Sequence, residues 1–433
     1  MKYLILTLLV SFNLQAETLN EVVQHTLATN PDVLVTIQNY RASKQTVKQI
    51  QGGYLPSLEL YAGYGSENSD NSTTRTHFGG DTTLTRSEIG LTLSQILFDG
   101  FKTKYGVKQY KFLANSANHK VRNTSENIAL LTSEVYLEML RRHEILELTK
   151  NNVVIHQKIL GQIKLLVEGG AGRKADVQQS SSRLFLAKSS LVNAKGRLRD
   201  AEINYRRVTG ELPKKLEQPE AMDKNLPKNS DEALNLALNK HSSLQLAKAN
   251  LAAAKASHNQ SKSAFMPNVT FELGVSDKDN IDGIEGANDD MTAMLRMRYN
   301  LFRGGSDVAK VQETAELIGA AKENTISSQR IIEEDVLLSW NGLETIQARL
   351  KYLQEYVKSA EAVLNSYKEQ FKLGQRSLLD VLDSENELFN ARASLVSAKY
   401  TRVLSVVKLL ESMGVLLDTL QIELSQEVKY KDG

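Results

Sequence analysis

The chain has 433 residues, 24% of them charged, with a formal net charge of +2. Such a balance argues for no nucleic-acid partner. The absence of cysteine excludes disulfides, thiol catalysis, thiolate metal sites and lipid attachment at an N-terminal cysteine.

The chain opens on a secretory signal. Lys2 supplies a positive start, Tyr3 to Val10 form a short, mainly apolar stretch, and Leu14-Gln15-Ala16 ends in a small residue. Residues 1–16 are therefore predicted to be removed, leaving Glu17 as the mature start. No later run reaches the about 18 apolar residues of a membrane helix. If the exported protein spans a membrane, it does so as β-structure.

A helical segment follows, with Pro31 near its start and Pro56 after its end. From Ser57 the period becomes two. Leu58, Leu60, Ala62 and Tyr64 alternate with Ser57, Glu59, Tyr61 and Gly63, and Ile89, Leu91 and Leu93 alternate with Glu88, Gly90 and Thr92. This predicts a hairpin over 57–98, with the polar stretch Glu67 to Arg86 as a surface loop. Each alternating segment is about 9–11 residues, the length of a tilted strand crossing a bilayer.

Heptads come next. Met139, Leu146, Val153, Leu160 and Val167 predict a long helix over 101–167, which spans roughly 100 Å. After a glycine turn, Val177, Leu184, Leu191, Leu198 and Tyr205 predict a returning helix over 174–209. Two antiparallel helices with strict heptads imply coiled-coil packing. Pro213, Pro219 and Pro227 then mark a linker.

The second half repeats the first. Adding 204 to the heptad positions gives Leu343, Leu350, Val357, Leu364 and Phe371, and carries Asp176-Val177 onto Asp380-Val381 and Gly210 onto Gly414. Earlier landmarks differ by 211, as Tyr54-Leu55-Pro56 and Phe265-Met266-Pro267 do, so the first half holds seven extra residues in its polar loop. An internal duplication predicts two structural repeats, 17–220 and 221–433. The second contains a hairpin over 268–302, a long helix over 305–371, a helix over 377–413 and a C-terminal tail.

The predicted class is mainly α with a membrane β portion. Four strands cannot close a barrel, and an open edge cannot face lipid. The chain must oligomerise through its strands, and the pattern leaves a dimer of eight or a trimer of twelve open. Glu59, Glu88, Glu272, Arg296 and Arg298 fall on the polar strand faces, which predicts that they line a barrel lumen.

The whole mature chain resembles the TolC family of outer-membrane channel-tunnels. The most specific segment is Gly374-Gln375-Arg376-Ser377-Leu378-Leu379-Asp380-Val381-Leu382-Asp383, with Gly170 and Asp176-Val177-Gln178 as its first-half counterpart. Leu-Phe-Asp-Gly at 97–100 and Leu-Phe-Arg-Gly at 301–304 resemble the family's strand-to-helix junctions, and Arg207-Val208-Thr209-Gly210-Glu211-Leu212-Pro213 resembles its type I secretion branch. The resemblance implies a homotrimer with a twelve-stranded barrel in the outer membrane of a Gram-negative bacterium and an α-barrel tunnel through the periplasm. It also implies that the linker near 211–230 and the C-terminal tail form an equatorial belt.

Asp380 and Asp383 are three apart and share a helix face. The resemblance places them as the ring that narrows the closed entrance, where crowded carboxylates attract cations. It gives Arg376 and Asp176 the roles of a latch between helix pairs. It puts Phe371 where relatives carry a hydrogen-bonding tyrosine. Gly170 and Gly374 become the tips on which a periplasmic adaptor docks. Patterns suggesting a phosphate loop at Gly169–Lys174 and a calcium loop at Asp277–Gly283 lack required residues.

The expected function is a passive exit, with no catalytic site and no cofactor. Substrates arrive from an inner-membrane ABC or proton-driven transporter through the adaptor. Type I protein secretion is the leading reading, small-molecule efflux the alternative, and an envelope scaffold or adhesin the third.

Overall fold

The computed structural model describes residues 16–220 and 222–424. The predicted signal segment before Ala16, and the tail from residue 425, lie outside them. The first half runs α1 (Leu19–Thr29), α2 (Pro31–Gln51), β1 (Ser57–Ser69), α3 (Ser72–Phe78), β2 (Thr82–Phe98), α4 (Lys102–Glu168) and α5 (Lys174–Thr209). The second runs α6 (Ser230–Lys240), α7 (Ser242–Ser261), β3 (Asn268–Asp279), β4 (Ala287–Arg298), α8 (Ser306–Lys372), α9 (Leu378–Ser412) and α10 (Leu416–Thr419). Apart from α3 and α10, one order of elements occurs twice. The chain is mainly helical, with one antiparallel sheet.

The helical segment before each hairpin is two helices rather than one. The breaks fall at Asn30 (φ −67°, ψ 125°) and His241 (φ −60°, ψ 122°), residues that the 211 offset aligns. At each break a side chain caps the next helix. The Asn30 Oδ1 accepts from Asp32 N at 2.9 Å, and the His241 Nδ1 accepts from Ser243 N at 3.2 Å. Pro31 opens α2, where its missing N–H costs nothing.

The described chain divides into two compact units, each drawing on both halves of the sequence. One takes residues up to Ile37, Lys120–Ser243 and everything from Gln329; the other takes Gln38–His119 and Leu244–Ser328.

In the first unit the heptad side chains form seams. Val153, Leu184 and Ala187 pack with Leu160 and Leu191 between α4 and α5. Ala360, Leu364, Val381 and Leu388 pack with Val357, Tyr367 and Phe371 between α8 and α9. Higher on α4, the Tyr136 hydroxyl lies 2.8 Å from Glu17 O and 2.7 Å from Glu217 O. It thereby fastens a parallel bridge between Glu17 and Leu216. The short α10 buries Leu416 and Leu417, and the Leu417 amide donates to the Glu126 carboxylate at 3.2 Å.

The second unit carries the sheet, in the order β1-β2-β3-β4 with every pair antiparallel. The two hairpins join through β2 and β3, and β1 and β4 are the outer strands. The strands hold 13, 17, 12 and 12 residues, longer than the alternation predicts. The ladder continues past the apolar stretch, through Ser66–Ser69 paired with Thr82–Thr85, because backbone pairing does not need apolar side chains. The predicted surface loop of the first hairpin contains the seven-residue helix α3. Asn71 caps it, accepting from Thr73 N and Thr74 N, and its amide donates to Asp282 O at 2.8 Å on the other hairpin.

Candidate functional site

Two places carry the chemistry, the sheet and the helical turns. In the sheet, the register sorts the side chains. Glu59 pairs with Thr92, Gly63 with Glu88, Ser94 with Glu272, Thr270 with Arg296 and Asn268 with Arg298. Alternation then places Glu59, Glu88, Glu272, Arg296 and Arg298 on one face. That face carries ion pairs from Arg86 to Glu67 (2.6 Å) and Glu88 (2.8 Å), from Lys278 to Asp290 (3.1 Å) and from Arg296 to Glu272 (3.0 Å). The opposite face holds Leu58, Leu60, Tyr64, Ile89, Leu91, Met291, Leu295 and Met297, and each of these is exposed. An apolar face this extensive is unstable in water and matches the lipid-facing side of a transmembrane barrel. Among the described residues no helix is long and apolar enough to cross a membrane.

The turns are built alike. Gly170 and Gly374 take the left-handed conformation, with φ of 79° and 72°. Each donates to the carbonyl three residues back, Val167 O at 3.1 Å and Phe371 O at 3.0 Å. The next residue donates five back, Ala171 to Leu166 O and Gln375 to Gln370 O, both at 2.9 Å. These paired bonds satisfy the last carbonyls of α4 and α8 and stop both helices at one geometry.

Beyond the second turn the predicted aspartates separate in role. Ser377 caps α9 through a capping box in which its hydroxyl accepts from Asp380 N. The Asp380 carboxylate returns the contact, accepting from the Ser377 hydroxyl at 2.8 Å and amide at 3.3 Å. Arg376 approaches the same carboxylate at 3.8 Å. Its guanidinium also lies 4.1 Å from the Tyr367 ring centroid, and its Nε donates to Gln370 Oε1 at 3.1 Å. Asp383, one turn on, accepts from Arg183 on α5 at 2.6 Å. The two carboxylates share a helix face but not an environment.

Phe371 packs in two clusters. One is the α8–α9 seam; the other joins Ile163 of α4 to Leu378 and Leu382 of α9, with Ile159 and Val177. Within the chain no hydrogen bond or ion pair among the described residues joins Arg376 to Asp176. Asp176 N bonds to Arg173 O at 3.1 Å, and no described side chain donates to the Asp176 carboxylate.

Sequence reasoning missed three neighbours of this site. Arg183 is one. Lys368 is the second, 2.6 Å from the buried Glu385. His156 is the third: burial pushes its imidazole below the usual range, Glu385 opposes that shift, and Arg183 adds to it. Arg183 lies 200 residues from Asp383 in the sequence, and Lys368 meets Glu385 only because the chain folds back at the α8–α9 turn. Only the Ser377-x-x-Asp380 capping box had a readable signal. Further along unit one, burial raises Glu126 to about 8 and Glu411 to about 7, the latter with help from Asp335 and Glu134. Among the described residues no group of three or more His, Asp or Glu is placed to hold a metal.

Comparison with known proteins converges on one class. The sequence model of the family described as "Outer membrane efflux protein" matches residues 22–211 and 233–415. The chain is 26% identical to the outer membrane efflux protein BepC of Brucella suis, over 80% of this chain and 77% of that one. It is 22% identical to the outer membrane protein TolC of Vibrio cholerae, covering 93% and 91%. It is also 22% identical to the protease secretion protein PrtF of Dickeya chrysanthemi, covering 87% and 83%. A solved membrane protein from Pseudomonas aeruginosa superposes with a TM-score of 0.81 at 16% identity, covering 91% of this chain and 93% of that one.

Proposed function

Because this chain belongs to the outer membrane efflux protein family, whose members include TolC, we propose that three copies close one barrel and give substrates a passive way out of the cell. The outer membrane is its place, with the helical part extending into the periplasm. The observation that carries the reading is the sheet. It has one charged face, one exposed apolar face, and two outer strands whose free edges find no partner among the described residues. Three such sheets give the twelve strands of a closed barrel, with Glu59, Glu88, Glu272, Arg296 and Arg298 towards water and the leucines and methionines towards lipid.

Each subunit is read as two repeats, 17–220 and 221–433, whose long helices form the tunnel wall. Asp380 and Asp383 narrow the closed entrance, and the turns at Gly170 and Gly374 receive a periplasmic adaptor. Asp176, whose carboxylate has no side-chain donor among the described residues, is left for Arg376 of a neighbouring subunit, with Phe371 packing nearby without a polar contact. Energy comes from an inner-membrane transporter; this chain performs no reaction of its own and needs no cofactor. Type I protein secretion is supported by the run Arg207–Pro213 and by the likeness to PrtF. Small-molecule efflux is supported by the likeness to BepC.

The test begins with mass. Purified in detergent, the protein should be a trimer, and a stable monomer by light scattering would sink the architecture. In planar bilayers it should pass small, cation-selective currents. Asp380→Ala with Asp383→Ala should weaken that selectivity, and a double variant that behaves like the wild type removes the aperture from the reading. In the same bilayers Arg376→Ser should raise conductance. Asp176→Ala should add little to it, because both changes break one link.

A further inference from the structure

Within one subunit, the α4–α5 hairpin and the α8–α9 hairpin each have a seam of their own. Near the turns, the apolar cluster of Ile163, Leu378 and Leu382 joins them. Phe371 contributes to that cluster but can supply no hydrogen bond. Arg376 is occupied by Tyr367, Gln370 and Asp380, all on its own hairpin. Lys368 pairs with Glu385, also within the α8–α9 hairpin. Among the described residues, the polar link that crosses between hairpins nearest the turns is Arg183 on α5 with Asp383 on α9.

We propose that Arg183 adds a second lock, within each subunit, that helps hold the entrance of this channel closed, and that by covering Asp383 it also sets the charge of the aperture. The inference rests on reading Asp380 and Asp383 as the aperture. It differs from the latch read at Arg376 and Asp176 in lying inside one subunit, so each subunit carries its own copy of the link. Arg183 is a positioning residue: it acts through the carboxylate it grips.

The geometry ties opening to selectivity. In the structure, taken as the closed arrangement, the Arg183 guanidinium sits 2.6 Å from one Asp383 oxygen, and Asp380 is held by the α9 cap and approached by Arg376. The ring is therefore largely compensated. When α9 swings away from α5 to widen the entrance, the Arg183 contact breaks and three Asp383 carboxylates are uncovered together. The open state then attracts cations more strongly than the closed one. The pair is partly exposed, with 29% of the Arg183 and 56% of the Asp383 side chain accessible, so a single link is weak. Three links released together multiply, and at a factor of about two each they give a roughly tenfold change in the open population.

The test is single-channel recording of the intact trimer. Arg183→Gln should raise the open population roughly tenfold and strengthen the preference for cations, while Arg183→Lys keeps most of the closed behaviour. Because the natural chain has no cysteine, Arg183→Cys with Asp383→Cys offers a second readout. Joining the two thiols with a short bifunctional reagent should return an open channel to the closed level, and cleaving the linker should release it. If Arg183→Gln behaves like the wild type while Asp383→Asn alters selectivity, the aperture reading stands and the lock lies elsewhere. A cross-linked cysteine pair that conducts as freely as the unlinked one overturns the lock as well. If neither Asp380→Asn nor Asp383→Asn changes selectivity, the aperture reading falls and this inference falls with it.

Discussion

The two turns of this chain share a backbone and differ in the helix starts beyond them. Gly170 and Gly374 have nearly the same φ and the same pair of closing hydrogen bonds. Three residues later the copies part. Arg173 begins α5 with no side-chain cap, whereas Ser377 begins α9 with a capping box. Asp176 and Asp380 occupy the same repeat position, yet only Asp380 has its carboxylate taken up by the cap. Duplication has kept the geometry that stops and restarts a helix. The side chains have diverged, leaving one acid committed to a cap and the other without a side-chain donor among the described residues.

The largest effect that tests this comparison lies at the far ends of the returning helices. Gly210 and Gly414 are repeat partners, both left-handed, at φ of 83° and 70°. A Cβ on Gly210 meets open space, but one on Gly414 would lie 2.8 Å from the His241 backbone. Gly210→Ala should cost about 1–2 kcal/mol from the backbone alone. Gly414→Ala should cost about 3 kcal/mol or more, because the overlap adds to it. Heat-induced unfolding of the purified protein would rank the two, and equal losses would mean that the second half is no tighter there than the first.

A smaller effect separates the halves by pH. Glu411 is half-buried where its repeat partner, Arg207, is exposed. Its folded pKa is raised from 4.5 to about 7, so the folded state prefers the protonated carboxyl. The stability this represents is complete below the unfolded value and is lost as pH rises through about 7. Glu411→Gln should leave melting near pH 4 unchanged and stabilise the protein near pH 9 by about 1–3 kcal/mol. A gain of equal size at both pH values would remove the titration from the explanation.

The smallest effect is at the caps themselves. Ser377→Ala should cost about 1 kcal/mol and loosen the first turn of α9, whereas Arg173→Ser should stabilise α5 by a similar amount. Amide exchange in the first turns of both helices measures this directly. If Arg173→Ser does not slow exchange in α5, the missing cap is not what distinguishes the two starts.

The range of each interaction decides how much of it a sequence displays. The long helices are legible because heptads repeat over many turns and proline is absent, and the strands because alternation is local. The break at Asn30 has a local mark in Pro31, but the matching break at His241 has none. The helix α3 is hidden in a polar stretch, since its stability comes from Asn71 and from contacts with the other hairpin. At the site, spacing alone puts Asp380 and Asp383 on one face. It does not give them different partners, because Arg183 is brought to Asp383 only by the packing of α5 on α9.

The pairing of β2 with β3 sets a schedule. Ser87 meets Asp279, so strands joined side by side are separated by most of a structural repeat in the chain. In a protein exported from its N-terminus, the first hairpin arrives long before the strand that must cover its inner edge. Contacts this distant in sequence form slowly. Until β3 has crossed the inner membrane, the first hairpin waits with an exposed apolar face and two open edges, a template for wrong partners. The interval before β3 arrives is therefore the stage at which the half-sheet is most open to wrong partners.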